Sequence, residues 1–432
     1  MGELGTESSA SRIVVPYYVR GLSLGIPAYL IGVHLWTWVF MLPTFLGGRA
    51  DFRQLYTAGF MVRSGYASQL YDYDSQHRFQ NARVSPADIA LPFNHLSYEA
   101  LLFAPFSLLP FRAAYFTFLG TNLALLALCY RLLRPGMDKL ADIFRWLPAA
   151  MFLGFLPVAA ALMQGQDSIL LLTLLVAATV ALHRGADLTA GALVGFGLFK
   201  FQIVLPIALL LLLWRRWRFS VGFAASAAAV GLISLWLVGM AGAETYVRSL
   251  RHMSVGLTSS AEQFRYGISP AAMPNLRGLI FGLAHSRLSA FWIQAVTVIL
   301  SGATLLAVAV TARRKQSGVD ALLVAITASA IVSYHLLIHD LSVMLIPIAL
   351  TLNRFIDAES TGDRVGRLIA RTSALMFIAP ICISYIPGHF YVVSLPLAGL
   401  LVAIAAMSDD RGVPLLRFAR SCFCLVEGGG VE

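Results

Sequence analysis

The chain is 432 residues long, with 58% hydrophobic and 12% charged residues, whereas a soluble domain carries about a quarter charged. That composition excludes a soluble globular enzyme and describes one membrane domain with loops, not the two or three soluble domains its length would otherwise allow. The formal net charge of +10 comes from 32 basic and 22 acidic residues; in a membrane protein such an excess marks cytoplasmic loops facing anionic lipid, and no basic stripe with interleaved aromatics points to nucleic acid.

In chain order, the polar start MGELGTESSASR, a cytoplasmic N-terminus over residues 1–20, precedes an apolar span from about Leu22 to Phe45. That span ends in Gly-Gly with no small-residue cleavage site, which favours a retained helix over a cleaved signal. A non-cytoplasmic loop follows over residues 46–112, denser in polar and aromatic residues than any other stretch. Spans are then expected at about Ala113–Leu133, Trp146–Met163 and Ser168–Leu182, the last two joined by the short turn Gly165-Gln166-Asp167 as a hairpin.

The segment Leu188–Trp214 is too long for one span and is interrupted by Lys200, Gln202 and Pro206. Two half-length helices meeting near Lys200 return Arg215, Arg216 and Arg218 to the cytoplasm, as the positive-inside bias requires. After a span at about Val221–Met240, a second non-cytoplasmic loop covers 241–290. Further spans are read at about Phe291–Ala312, Val319–Leu337, Leu341–Leu352, Leu368–Ile386 and Tyr391–Met407, before a cytoplasmic tail at 408–432. The expectation is therefore an all-α polytopic bundle of roughly eleven to twelve membrane helices with both termini cytoplasmic, placed in the plasma or inner membrane. No internal repeat is visible, and the four cysteines (Cys129, Cys382, Cys422, Cys424) form neither a disulfide framework nor a zinc pattern.

Asp51 stands just beyond the first span, at the membrane-water boundary, where a partly desolvated carboxylate is suited to taking a proton from a hydroxyl; its bland alternative is a helix N-cap. Arg53, Tyr56, Tyr71, Asp72, Tyr73 and Asp74 can bind a sugar or form an interfacial aromatic belt. Lys200 is one of three lysines and the one inside an apolar segment, where an unpaired charge costs about 3 kcal/mol or more. A phosphate would be a partner for it; the alternative is a lysine snorkelling from a helix end at the break.

His335 and His339 fall four apart, with Asp340 beside the second. The glutamate and third ligand of a zincin are missing, so no metal is expected, and the readings left are hydrogen bonding to a phosphate or sugar and a structural polar contact between helices. Gln166 and Asp167 line the same cavity or cap a helix, and in the second loop Arg265 or Arg277 can clamp a phosphate, against a default of contact with solvent or lipid headgroups. There is no Gly-x-Gly-x-x-Gly, P-loop or GxSxG elbow. Asp72-Tyr73-Asp74 lies on the wrong face for a cytoplasmic nucleotide sugar.

Asp51-Phe-x-x-Leu-Tyr-x-Ala-Gly59, Gly65-Tyr-x-x-x-Leu-Tyr-Asp72 and the segment Pro92–Pro110 resemble the first loop of family 87 glycosyltransferases. Gly165-Gln166-Asp167-Ser168, Ala190-Gly191 followed by Lys200 and Pro206, and Trp214-Arg-Arg-Trp217 resemble its middle section, so the likeness reaches to about Asp340. Where that family usually has an aromatic-Pro-Pro element, this chain has Pro92-Phe93-Asn94-His95 and Ser97-Tyr98-Glu99.

The resemblance implies an integral-membrane enzyme of the GT-C class. Such an enzyme moves a hexose, mannose before arabinose, from a polyprenyl phosphate to a glycolipid or glycan acceptor, with inversion, on the non-cytoplasmic face. It makes Asp51 the general base, and it calls for no metal or other cofactor, because a lipid phosphate is already a competent leaving group. The rival readings are a secondary transporter or lipid-linked sugar flippase, with Lys200, His335 and His339 as coupling residues, and a non-catalytic scaffold.

Overall fold

The computed structural model describes residues 17–254, 269–312, 318–356 and 364–407. Among these residues there are helices and turns and no strand, as backbone immersed in hydrocarbon requires when it must satisfy its own hydrogen bonds. Residues 1–16, Arg265 and the tail 408–432 lie outside the described residues.

Among the described residues, seven helical segments are by length and composition able to cross a bilayer, one of them the segment Asp187–Leu213 that doubles back at Lys200, or eight if the pair Leu147–Gly154 and Leu156–Gln164, bent by 53°, counts as one more. The larger number expected from sequence had included three shorter helices, Ser168–His183, Gly318–Val332 and Leu345–Arg354. At 1.5 Å per residue these reach only about 24, 22 and 15 Å. It had also counted separately the two arms of the segment around Lys200. Large apolar side chains face outward on the long helices, Trp36, Phe40, Trp236 and Phe291 each being at least 70% exposed. That much exposed apolar surface suits lipid and not water; the protein is a multi-pass membrane protein.

The segment around Lys200 organises the interior. An α-helix over Asp187–Gly195 (α10) tightens into a 3-10 turn at Phe196–Lys200 and restarts as Phe201–Leu213 (α11). In a straight helix residues seven apart are separated by about 10.5 Å. A Cβ placed on Gly197 would nevertheless lie 3.1 Å from Val204 Cγ2, so the chain doubles back at Lys200. Both ends of this hairpin reach one face of the bundle: Leu182, just before it, packs on Gly318, and Trp214, just after it, donates from Nε1 to Ala309 O at 3.0 Å. The next helix, Trp217–Ser254 (α12), then rises beside α10. Backbones approach so closely there that a Cβ on Gly191 would meet Phe219 O at 1.9 Å. The broken pair expected from the position of Lys200 is thus present as a re-entrant hairpin.

The stretch 45–110 is not an open loop. It folds into short helices, chiefly Phe52–Arg63 (α2), Tyr73–Arg83 (α3) and Tyr98–Phe103 (α4), and forms a cap at the end of the bundle opposite Leu182 and Trp214. Phe52 anchors the cap, stacking on Phe118 at 5.2 Å between ring centroids and packing against Phe103, Phe111 and Tyr115.

Candidate active site

Asp51 occupies the N-terminal position of α2 but its side chain makes no capping hydrogen bond. Its Oδ2 instead accepts from Gln166 Nε2 at 2.6 Å, across 115 residues of sequence. Two features place Gln166 there. The helix Leu156–Gln164 ends at Gly165, whose φ of +61° is a left-handed conformation that glycine adopts without strain. The same glycine lies against Phe52, where an added Cβ would come within 2.7 Å of Phe52 Cβ. The turn therefore presses on the residue next to Asp51. Gln166 is further held by its backbone, its N–H donating to Ala161 O at 2.9 Å and its carbonyl accepting from Asn122 Nδ2 at 3.2 Å.

Behind Gln166 lies a buried ionic network. Lys200 Nζ, at the tip of the hairpin, stands 3.4 Å from Gln166 Oε1, 2.9 Å from Asp167 Oδ1 and 3.1 Å from Asp340 Oδ1. Lys200 is therefore not the unpaired cation that its apolar surroundings suggested. Two carboxylates compensate it, so its charge is balanced within the protein without a phosphate. Asp340 also accepts from Ser168 Oγ at 3.1 Å and from the backbone N–H of Leu337 at 3.0 Å. Burial works against its charge, yet Lys200 and His339 hold its carboxyl down at about 2.

His95 and Glu99 complete the network, and neither stood among the candidate site residues. His95 Nδ1 lies 2.5 Å from Glu99 Oε2 and 2.9 Å from Asp167 Oδ2, close approaches that lack the alignment of directed hydrogen bonds. Burial alone would lower the His95 pKa, but the two acids outweigh it and carry it to about 10. Burial raises Glu99 to about 8 even against the pull of His95. Between them, Tyr98 pins the hairpin tip, its hydroxyl donating to Phe196 O at 2.7 Å and accepting from Phe199 N at 3.0 Å. The signal available in the sequence was a His and a Glu one helical turn apart in the segment that departs from the aromatic-Pro-Pro pattern.

The donor atoms of His95, Glu99 and Asp167 lie within 4.8 Å of one another, close enough to hold a metal ion. The charges of the cluster also balance without one. At neutral pH the cations Lys200 and His95 offset Asp167 and Asp340 while Glu99 carries its proton. A dication held here would take the place of the protons on His95 and Glu99, an exchange of equal charge beside the carboxylate that already holds Lys200.

His335 and His339 do not share a helical face. Gly318–Val332 ends before His335, and His339 lies in the 3-10 turn Ile338–Met344. Burial lowers the pKa of both, His335 to about 4, so at neutral pH they are uncharged imidazoles. His339 lies within electrostatic reach of Asp51, and His335 within reach of Arg277. Arg277 stacks on Tyr334 at 3.9 Å and donates to the Tyr334 carbonyl at 3.1 Å, while Asn275 donates to Ser333 O at 2.6 Å. Second-loop side chains thus brace the backbone that leads to the histidines.

Two residues expected to contact sugar are committed elsewhere. Arg53 donates to Gln80 Oε1 at 2.9 Å, to Asn81 Oδ1 and Ser85 O at 2.8 Å, and to Gly48 O at 3.3 Å, stitching the cap together. Tyr56 is buried and donates to Leu109 O at 2.9 Å. Arg265 lies outside the described residues.

The sequence model of glycosyltransferase family 87 matches residues 98–338, taking in Glu99, Gln166, Asp167, Lys200, Arg277 and His335 and leaving Asp51, His95, His339 and Asp340 outside its limits. No curated protein and no solved structure matches the chain. A match over more than half the chain, on an all-helical multi-pass body whose polar residues converge around Lys200, places the protein in glycosyltransferase family 87 and makes it a membrane glycosyltransferase.

Proposed function

We propose that the protein transfers a hexose, mannose in the first instance, from a polyprenyl-phosphate donor to a hydroxyl of a glycolipid or glycan. In this reading Asp51 is the base. The acceptor oxygen attacks the anomeric carbon while the bond from that carbon to the phosphate oxygen breaks. The electron pair leaves with the polyprenyl phosphate, the hydroxyl proton passes to Asp51, and the anomeric configuration inverts. The loop-bearing face is taken as non-cytoplasmic and both termini as cytoplasmic.

The observation that carries the reading is the direct link from Asp51 through the Gln166 amide to the Lys200 network. It gives a half-buried carboxylate a fixed orientation at the rim of an intramembrane polar site. His335, His339 and Arg277 are the groups proposed to meet the phosphate and sugar, the histidines as neutral hydrogen-bonding partners. An apolar groove of about 660 Å³, lined by Leu205, Leu209, Leu212, Trp217 and Val221, runs along the returning arm of the hairpin and is suited to isoprene units.

Membranes carrying the parent protein or Asp51→Asn, supplied with radiolabelled mannose on a synthetic polyprenyl phosphate, test the assignment. Loss of the base is expected to lower transfer about 10²- to 10⁴-fold. Undiminished transfer by the variant removes Asp51 from the mechanism, and absence of transfer by the parent removes this donor.

A further inference from the structure

Gln166 is the single side chain that touches both Asp51 and Lys200 among the contacts described. Its amide has only one orientation compatible with these neighbours. A lysine ammonium can only donate, so it faces the carbonyl oxygen; an ionised carboxylate can only accept, so it faces the NH₂. Exchanging the two amide ends would place an N–H against the ammonium and an oxygen against the carboxylate, losing both contacts. With 3% exposure the side chain has no solvent to turn toward. Its backbone is held at the N–H by Ala161 and at the carbonyl by Asn122.

We propose that Gln166 is the positioning residue of the transfer reaction. Lys200 sets the direction of the amide, and the amide holds Asp51 Oδ2 so that the rest of the carboxylate meets the acceptor hydroxyl in one geometry. The network of Lys200, Asp167, Asp340, His95 and Glu99 then acts on catalysis through this one amide and does not touch substrate. The proposal rests on the reading of Asp51 as base. It adds that a neutral residue of the QGQD turn sets the rate.

The test uses the full-length protein in lipid nanodiscs, with polyprenyl-phosphate mannose as donor and a membrane lipid extract as acceptor source. Gln166→Leu keeps the bulk and removes the donor; kcat is expected to fall about 10- to 100-fold, the scale of a misplaced reacting group, with the KM for donor within about twofold of the parent. Gln166→Glu is the diagnostic variant. Ionised, it offers Asp51 no hydrogen and repels it; protonated, it donates an O–H in place of the N–H. Its turnover per folded molecule, relative to the parent's, is therefore expected to climb as pH is lowered from 8 toward 5, whereas a carboxylate that only disturbs packing lowers the folded fraction at high pH and leaves the turnover of folded molecules parallel to the parent's. Parent-like kcat in Gln166→Leu, or a pH profile of Gln166→Glu parallel to the parent's, overturns the proposal.

A second readout does not depend on the donor. In protein labelled with ¹⁵N on the glutamine side chains, the Gln166 NH₂ is expected to exchange slowly with solvent, and Asp51→Ala is expected to accelerate that exchange. Unchanged exchange overturns the contact itself. If the exchange changes but the parent transfers nothing from polyprenyl-phosphate mannose, the donor assignment falls and the positioning of Asp51 stands.

Discussion

Arg53 and Lys200 are both buried cations within reach of the same site, yet the chain compensates them in opposite ways. Arg53 is surrounded by neutral acceptors from its own loop, none more than 32 residues away in sequence. Lys200 is held by two carboxylates on segments on either side of it, at Asp167 and Asp340. The first arrangement ties a cap to itself; the second ties three separate passes of the bundle to one point. Proximity in sequence to the proposed base is therefore a poor guide to contact with it. Arg53 is two residues from Asp51, and two positions on a helix do not face the same way. Gln166, far removed along the chain, is the residue that reaches it.

The contrast can be broken by experiment, beginning with the network. Lys200→Met leaves Asp167 and Asp340 facing each other without their cation and is expected to cost about 3–5 kcal/mol, read as a lowered unfolding temperature in detergent together with loss of transfer. Adding Asp167→Leu to that variant is expected to restore part of the stability and none of the activity. If Lys200→Met unfolds at the parent's temperature, the ionic network is not what holds the hairpin tip. Arg53→Ala should cost about 2 kcal/mol while transfer per folded molecule stays within a few-fold of the parent. A collapse of donor affinity in that variant would return Arg53 to the binding site.

The most gradual expected effect is one of pH. The folded-state pKa of Glu99 is raised from 4.5 to about 8, and that of His95 from 6.5 to about 10. A raised folded pKa gives stability that is full below the unfolded value and lost as pH rises through the folded one. Thermal stability is thus expected to decline steadily from about pH 5 to about pH 10. Glu99→Gln, which resembles the protonated acid, should remove most of the decline below pH 8. A flat profile in the parent would show that these groups titrate at ordinary values and that the charge balance drawn for the cluster is wrong.

Much of the fold could be read in advance. Apolar run lengths located Ala290–Thr311 and Phe111–Leu133 to within two residues, because a helix in lipid must be apolar over most of its length. The break at Lys200 was legible for the same reason, since a lysine in an apolar run signals a cavity or a broken helix. Asp51, Lys200, Gln166 and Asp340 were each visible as a polar residue out of place. His95 and Glu99 were not, because a histidine and a glutamate in a polar loop carry no sign that the loop is buried.

Composition and hydrophobic run length determined by themselves that this protein is a bundle of membrane helices with a polar centre, since the bilayer imposes that pattern residue by residue. Which polar residues meet was decided only by tertiary structure. The left-handed turn at Gly165, the aromatic anchor of Phe52 and the doubling back at Lys200 bring residues 51, 95, 167, 200 and 340 together. Ion pairs and hydrogen bonds act over about 3 Å, and no spacing along the chain encodes a distance that short between segments so far apart.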